Sequence, residues 1–289
     1  MEALQKLITM SRERHYNVYE RFDWPEQVPE DVLWCDESLL TTYGTPYHER
    51  LDDRQRIALS KWEAINFYSL NVHGIKDALA FVCEKMYSPR YAAYWTYLHH
   101  FLDEENAHMW FFARFCNDYG GKIYKTLSLK ADGSHALLND LYMFASTLIF
   151  EEFVDYYNHK VGNNPHVPPI VREINHQHHL DESRHVKFGR DVIKDLFEEL
   201  RATDPQWDIT QPEVDAKLQR IFLHFIGLMY NPSAYADAGI HEACRVKSAA
   251  ALRNALRSAP ERREHHRHWF RRTARYFESI GAISTSELF

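Results

Sequence analysis

The sequence predicts a nearly all-α protein whose core is a bundle of four long helices, and three observations predict it. Apolar residues recur at helical spacing in four long runs separated by Pro- and Gly-containing breaks. No stretch alternates apolar and polar residues as a half-buried strand would, no Asn-Gly hairpin occurs, and there is no Gly-rich phosphate loop. The fourth run carries His178, Glu182 and His185 where an ordinary amphipathic helix would carry Leu, Ile or Ala. At about 100° per residue, positions i, i+4 and i+7 fall within roughly 60° of one another, so these three side chains leave one face.

Residues 1 to about 51 hold Pro25, Pro29 and Pro46 with Trp and Tyr between them, and read as a short helix followed by an extended wrapping segment. The first long helix spans about Asp52 to Met86, with Leu59, Trp62, Phe67 and Leu70 at helical spacing. Ser88-Pro89 breaks it, and Pro89 suits the first turn of the second helix, expected from about Pro89 to Tyr119 and stopped by Gly120-Gly121. A loop over 122–134 leads to the third helix, about Ser134 to Lys160, with Leu137, Leu141, Phe144 and Leu148 inward. The segment Gly162 to Pro169 separates it from the fourth, about Ile170 to Arg201. Beyond Pro205 three further helices are expected, about 211–230, 239–258 and 260–279. All 289 residues are expected to form one domain: a wrapping segment 1–51, a core bundle about 52–203 and C-terminal helices about 205–280.

A formal charge of -7 and a pI near 6.2 lack the basic excess of a nucleic-acid-binding surface. Cys35, Cys83, Cys116 and Cys244 lie far apart with no CxxC, which suggests neither a disulfide framework nor a thiolate zinc site, and fits reduced thiols in a cytoplasm. The N-terminus has no long apolar run, and Ile221–Met229 is too short to span a bilayer, so neither a signal peptide nor a membrane span is expected. What stands out instead is 18 His and 14% aromatic residues.

Four long helices with short connections make a bundle whose interior can hold metals. The di-iron carboxylate pattern takes a Glu from each of two helices and Glu-x-x-His from each of the other two. This chain supplies Glu105-x-x-His108 on the second helix and Glu182-x-x-His185 on the fourth, 77 residues apart, with the acidic pair Glu151-Glu152 on the helix between. Oxygen and imidazole donors without thiolate favour iron or manganese over structural zinc. Glu151 stands level with Glu182 across the loop, and Glu152 nearly so, so spacing leaves that choice open. On the first helix Glu63, His73 and Asp77 are candidates, and His73 lies nearest to level with Glu105. Asp181 and Glu104 each precede a motif Glu, where a carboxylate can accept the N–H of an imidazole from the facing helix. Tyr68, Tyr97, Trp110, Phe111 and Tyr156 are candidates to shape a pocket for a planar substrate, and more commonly such residues are plain core.

With Glu105-Asn-Ala-His108, Glu151-Glu-Phe-Val-Asp155 and His178-His-Leu-Asp-Glu182-Ser-Arg-His185, the sequence resembles the ferritin-like di-iron oxygenases of the p-aminobenzoate N-oxygenase (AurF) type, over roughly residues 52–200. His178, four residues before the last Glu-x-x-His, is the distinguishing residue. The resemblance implies that Glu105, His108, Glu151, His178, Glu182 and His185 ligate two iron ions, with manganese as the alternative metal, and it selects Glu151 over Glu152. It also implies a first-helix carboxylate, at whose place spacing puts His73 in this chain. The implied activity is a monooxygenase that uses O2 to oxidise an aryl, heteroaryl or similar amine to hydroxylamine and nitro products. An external electron donor follows, because no flavin or nicotinamide motif occurs, and a homodimer is expected from the resemblance alone. The basic run from Glu261 to Arg275 is a candidate docking face for an acidic redox partner, although an ordinary solvated helix face is the commoner meaning of such a run. Two other readings compete: a di-iron hydroxylase or desaturase acting on C–H bonds, and a non-catalytic ferroxidase or iron-binding protein.

Overall fold

The structure is a computed structural model that describes residues 2–126 and 135–288. Helix α1 (Glu2–Glu13) is followed by an irregular segment with two short 3-10 turns, which crosses the bundle before α2 begins. Its contacts are specific: Arg14 donates to the Leu180 carbonyl (3.2 Å), Tyr16 to Asp181 (3.3 Å) and Arg21 to the side chain of Gln177 (3.2 Å). The expected wrapping segment therefore lies against the helix that carries the His/Glu stripe.

Helix α2 (Asp53–Lys85) starts at a reciprocal cap, in which Asp52 accepts from the Gln55 N–H (2.8 Å) and the Gln55 side chain accepts from the Asp52 N–H (3.0 Å). Pro89 does not open the next helix. It starts a separate 3-10 turn, Pro89–Tyr91, and α3 runs Trp95–Phe115 before widening into a π-helical turn, Cys116–Gly120, that ends at left-handed Gly121. A proline fixes φ near −65°, which fits the first turn of either kind of helix. Part of the expected 122–134 loop, residues 127–134, lies outside the described residues.

Helices α4 (Ala136–Gly162) and α5 (Pro169–Thr203) form a long antiparallel pair, and α2 packs along α3. Gly162 is what lets α4 and α5 close at their connected ends: a Cβ there would stand 2.8 Å from the His176 backbone. The C-terminal third forms α6 (Trp207–Met229), α7 (Pro232–Asp237), α8 (Ala249–Ser258) and α9 (Pro260–Ser279). The helix expected over 239–258 is thus helical only over its second half, and in the first half Gly239 (φ 66°) and Arg245 (φ 56°) take left-handed backbone. Helices α6 and α9 both pack on α4. The result is an all-helical, ferritin-like bundle with no strand among the described residues, and no described helix is long and apolar enough to cross a membrane.

Candidate metal centre

Midway along three helices, polar side chains leave the inward faces and meet. Glu105 and His108 come from α3, and Glu182 and His185 from α5; one donor atom from each lies within 4.8 Å of the others, and all four residues are buried. His185 Nδ1 stands 2.6 Å from Glu105 Oε1 and 3.3 Å from Glu182 Oε2. His108 Nδ1 is 3.4 Å from Glu105 Oε1 and 3.5 Å from Glu182 Oε1. His178 joins from one turn earlier on α5, with Nε2 2.6 Å from Glu182 Oε1. Glu151 on α4 reaches the same place, within hydrogen-bonding reach of Glu182.

Each imidazole has its far nitrogen engaged. His108 Nε2 faces Asp181 (3.3 Å) and His185 Nε2 faces Glu104 (2.7 Å), the two carboxylates that precede the motif glutamates. A single buried guanidinium, Arg184, donates to both Glu104 (2.8 Å) and Asp181 (2.9 Å). His178 Nδ1 meets the Asn158 side-chain amide at 2.5 Å. The Asn158 Nδ2 faces the ring while its Oδ1 is buried without a partner; turning the amide over brings Oδ1 to the ring, so that Nδ1 donates and Nε2 is left bare. Neither Arg184 nor Asn158 announces itself in the sequence, since an Arg or Asn at a helical position is chemically ordinary.

The inward atoms are the unusual ones. Glu105 Oε1, His108 Nδ1, His178 Nε2, both Glu182 oxygens and His185 Nδ1 are all buried and have no hydrogen-bond partner. Buried polar atoms are normally satisfied, and an isolated cluster of carboxylates is expensive to hide from water. Burial, reinforced by the Glu182 and Glu105 carboxylates, pushes Glu151 well above the usual carboxylate range. Burial opposes charge on His108 and His185, but neighbouring carboxylates outweigh it, Glu105 first for His108 and Glu182 first for His185; His108 is pushed up to about 10 and His185 well above its ordinary value. Without a cation, protons therefore occupy the places that metal charge would take. The donor set, three carboxylates and three imidazoles with no thiolate, suits iron or manganese.

Other candidates are placed elsewhere. His73 is not among the converging donors: its Nε2 meets the Tyr124 carbonyl at 2.9 Å. Glu63 is bound to Thr41, accepting from its backbone N–H (3.0 Å) and its hydroxyl. Asp77 pairs with Lys76 (3.4 Å). Glu152 is salt-bridged to Arg190 (2.5 Å), so Glu151 is the member of the acidic pair that faces the cluster. A third Glu-x-x-His spacing, Glu173 to His176, sits on the exposed side of α5.

Two cavities end at Glu151 and share Ala78 and Thr147. One is bounded by Leu70, His73, Met143, Phe150 and His224, the other by Phe81, Phe101, Phe144 and Phe188 with His185. The five aromatic residues expected at a pocket line neither. Tyr68, Tyr97 and Phe111 are core, Trp110 packs edge-on against Tyr19 and Trp24, and Tyr156 faces His268. The basic run on α9 is not a uniform face: Arg262 is buried and donates to the Leu40 (3.2 Å) and Tyr43 (2.8 Å) carbonyls, and Arg272 faces Asp155 (3.9 Å).

Among solved structures, the fold is similar to that of a point mutant of an R2-like ligand-binding oxidase with aerobically reconstituted Mn/Fe cofactor, with a TM-score of 0.53 at 13% sequence identity over 97% of this chain and 93% of that one. A second mutant of such an oxidase, also with aerobically reconstituted Mn/Fe cofactor, gives 0.47 at 15% identity over 97% and 93%. No curated protein matches the sequence. The sequence matches the family described as P-aminobenzoate N-oxygenase AurF over residues 1–281. A match over that length, on a bundle whose interior donors are set out for metal, makes this chain a member of the AurF family and an oxidoreductase of the di-metal oxygenase class.

Proposed function

We propose that the protein is a di-iron N-oxygenase that uses O2 and an external reductant to oxidise a small aryl or heteroaryl amine to its hydroxylamine or nitro product. In this reading Glu105, His108, Glu151, His178, Glu182 and His185 hold the metals, and His73 does not. The observation that carries it is the set of six converging inward nitrogen and oxygen atoms, buried and facing one another without a well-formed hydrogen bond, in a chain of this family. Bound there, a reduced di-iron pair supplies the electrons that activate O2.

The chain's own residues do the rest. Asp181 and Glu104 orient the His108 and His185 rings by accepting their outer N–H groups, and the Asn158 amide, with its oxygen turned to the ring, does so for His178. Phe81, Phe101, Phe144 and Phe188 wall a small apolar cavity beside Glu151, the kind of lining an aromatic substrate would pack against. Phe101 stands edge-on to His185 at 4.8 Å, so that space adjoins the cluster directly.

The test is to load the protein with iron, reduce it, admit O2 and offer a panel of aryl and heteroaryl amines alongside alkyl substrates. Hydroxylamine or nitro products are expected. Carbon hydroxylation or desaturation without N-oxidation would replace this reading with that of a C–H oxidase, and O2 consumption yielding only ferric iron would favour a ferroxidase.

A further inference from the structure

The two cavities that meet at Glu151 differ in what they offer a bound molecule. The one walled by Phe81, Phe101, Phe144 and Phe188 has little polar lining apart from Glu151, His185 and Thr147. The other is bordered by His73, Asp77, Thr126, Ser146, Thr147 and His224, and so is polar where its neighbour is greasy.

Three of those groups are set to accept hydrogen bonds. Asp77 is a carboxylate with its side chain 33% exposed; Lys76, 3.4 Å from it, is itself 58% exposed and does not border the cavity. His73 Nε2 faces the Tyr124 carbonyl (2.9 Å), which can only accept, so Nε2 carries the ring proton and Nδ1 of the neutral ring is an acceptor. Thr147 donates its own proton to the Met143 carbonyl (3.0 Å), which leaves its oxygen to accept. The Thr126 hydroxyl is buried and has no hydrogen-bond partner. Among the described residues, no Lys or Arg borders this cavity.

A molecule that reaches from Glu151 into such a space is sorted by its polar end. A carboxylate there would face Asp77 with no cation to receive it, and would lose its hydration for nothing. A hydroxyl or an ammonium group brings the protons that these acceptors lack, and a site built to receive such a group discriminates against analogues without it.

We infer that the substrate carries, besides the amino group that is oxidised and the ring that packs among the phenylalanines, a second hydrogen-bond-donating group, hydroxyl or ammonium, which Asp77 and His73 receive. These two are specificity residues that select against an acidic substrate. This rests on the amine-oxygenase reading and adds the second polar group of its substrate.

The test is to measure by calorimetry, on anaerobic iron(II)-loaded protein, the binding of anilines that carry a hydroxymethyl, aminomethyl or carboxylate group, each as its ortho, meta and para isomers, with unsubstituted aniline as reference. The best hydroxymethyl or aminomethyl isomer is expected to bind at least about tenfold more tightly than aniline and than any carboxylate isomer. Asp77→Asn should remove most of the gain from the aminomethyl group, and His73→Ala should weaken both donor-bearing ligands; both variants should keep their iron. Tightest binding of a carboxylate isomer, or a preference unchanged in Asp77→Asn, would overturn the inference, as would loss of iron in His73→Ala, which would make that residue a metal ligand instead. Carbon oxidation of a ligand that shows the expected preference would overturn the amine-oxygenase reading and leave the selection by Asp77 and His73 standing. Binding of none of the anilines would overturn both.

Discussion

At the scale of single residues, the most informative side chains are those that touch a touching residue. Asp181 accepts from His108, from Gln177 (3.0 Å) and from Arg184, so removing its charge disturbs the ring without disturbing the helix. Asp181→Asn is expected to weaken metal binding about 10- to 100-fold with the circular dichroism unchanged, and competition against a chelator of known affinity measures this. Glu63 makes a different prediction. Burial, only partly offset by the Thr41 hydrogen bonds, pushes its carboxyl up to about 7. A carboxyl whose folded value is raised is neutral in both states in acid. As pH rises from about 4.5 to about 7 the unfolded chain ionises first, so stability falls through that window and then levels. Glu63→Gln, compared with wild type in metal-free urea titrations across that window, should gain relative stability of up to about 3 kcal/mol.

These residues also show what the sequence could and could not convey. The convergence of the two Glu-x-x-His pairs and His178 was legible because those residues recur at a spacing that puts them on one helical face. The structure turns the His73 Nε2 to the Tyr124 carbonyl, because levelness gives height along a bundle but not direction around it. Three positions on from Leu70, about 300° of helical rotation, it leaves the flank of α2 and finds a carbonyl.

At the scale of elements, the four long helices were legible to within a few residues, since each carries a sustained apolar period and a Pro or Gly at its end. What was missed lay where backbone sterics or tertiary context override a local signal: Pro89 opening a 3-10 turn instead of α3, and the left-handed residues that shorten the expected 239–258 helix. The pairing of α4 and α5 depends on Gly162, and that dependence is measurable. Gly162→Ala has nowhere to place its methyl except against the His176 backbone. It should cost roughly 1–3 kcal/mol in denaturant unfolding, the scale of overpacking, in spite of alanine's better helix propensity. Because His178 lies half a turn beyond His176, the same substitution should also loosen metal binding.

At the scale of the whole molecule, metal, protons and folding are linked. In the proposed reading, neighbouring carboxylates raise His108 to about 10 and His185 well above its ordinary value, and burial raises Glu151, so metal binding is expected to displace protons from these groups. Affinity should therefore fall as pH is lowered through the range below about 10, by about tenfold per unit for each proton displaced. Calorimetry of manganese(II) binding between pH 6 and 8, in buffers of different ionisation heat, counts those protons directly; a pH-independent affinity would contradict the arrangement of charges described above. Since the proposed ligands come from α3, α4 and α5 together, a metal they hold would bind only the assembled bundle.

The guanidinium of Arg184 gives the centre a further property. It is the one cation held between the acceptor that steadies His108 and the acceptor that steadies His185, so neither acceptor can be altered in isolation. Because one Arg184 nitrogen donates to both carboxylates, a substitution at Glu104 is expected to alter Asp181's hydrogen bonding, and the reverse. The two halves of the centre therefore share one adjustment screw: descendants of this sequence can retune the metals as a pair far more easily than they can retune one and leave its neighbour as it was.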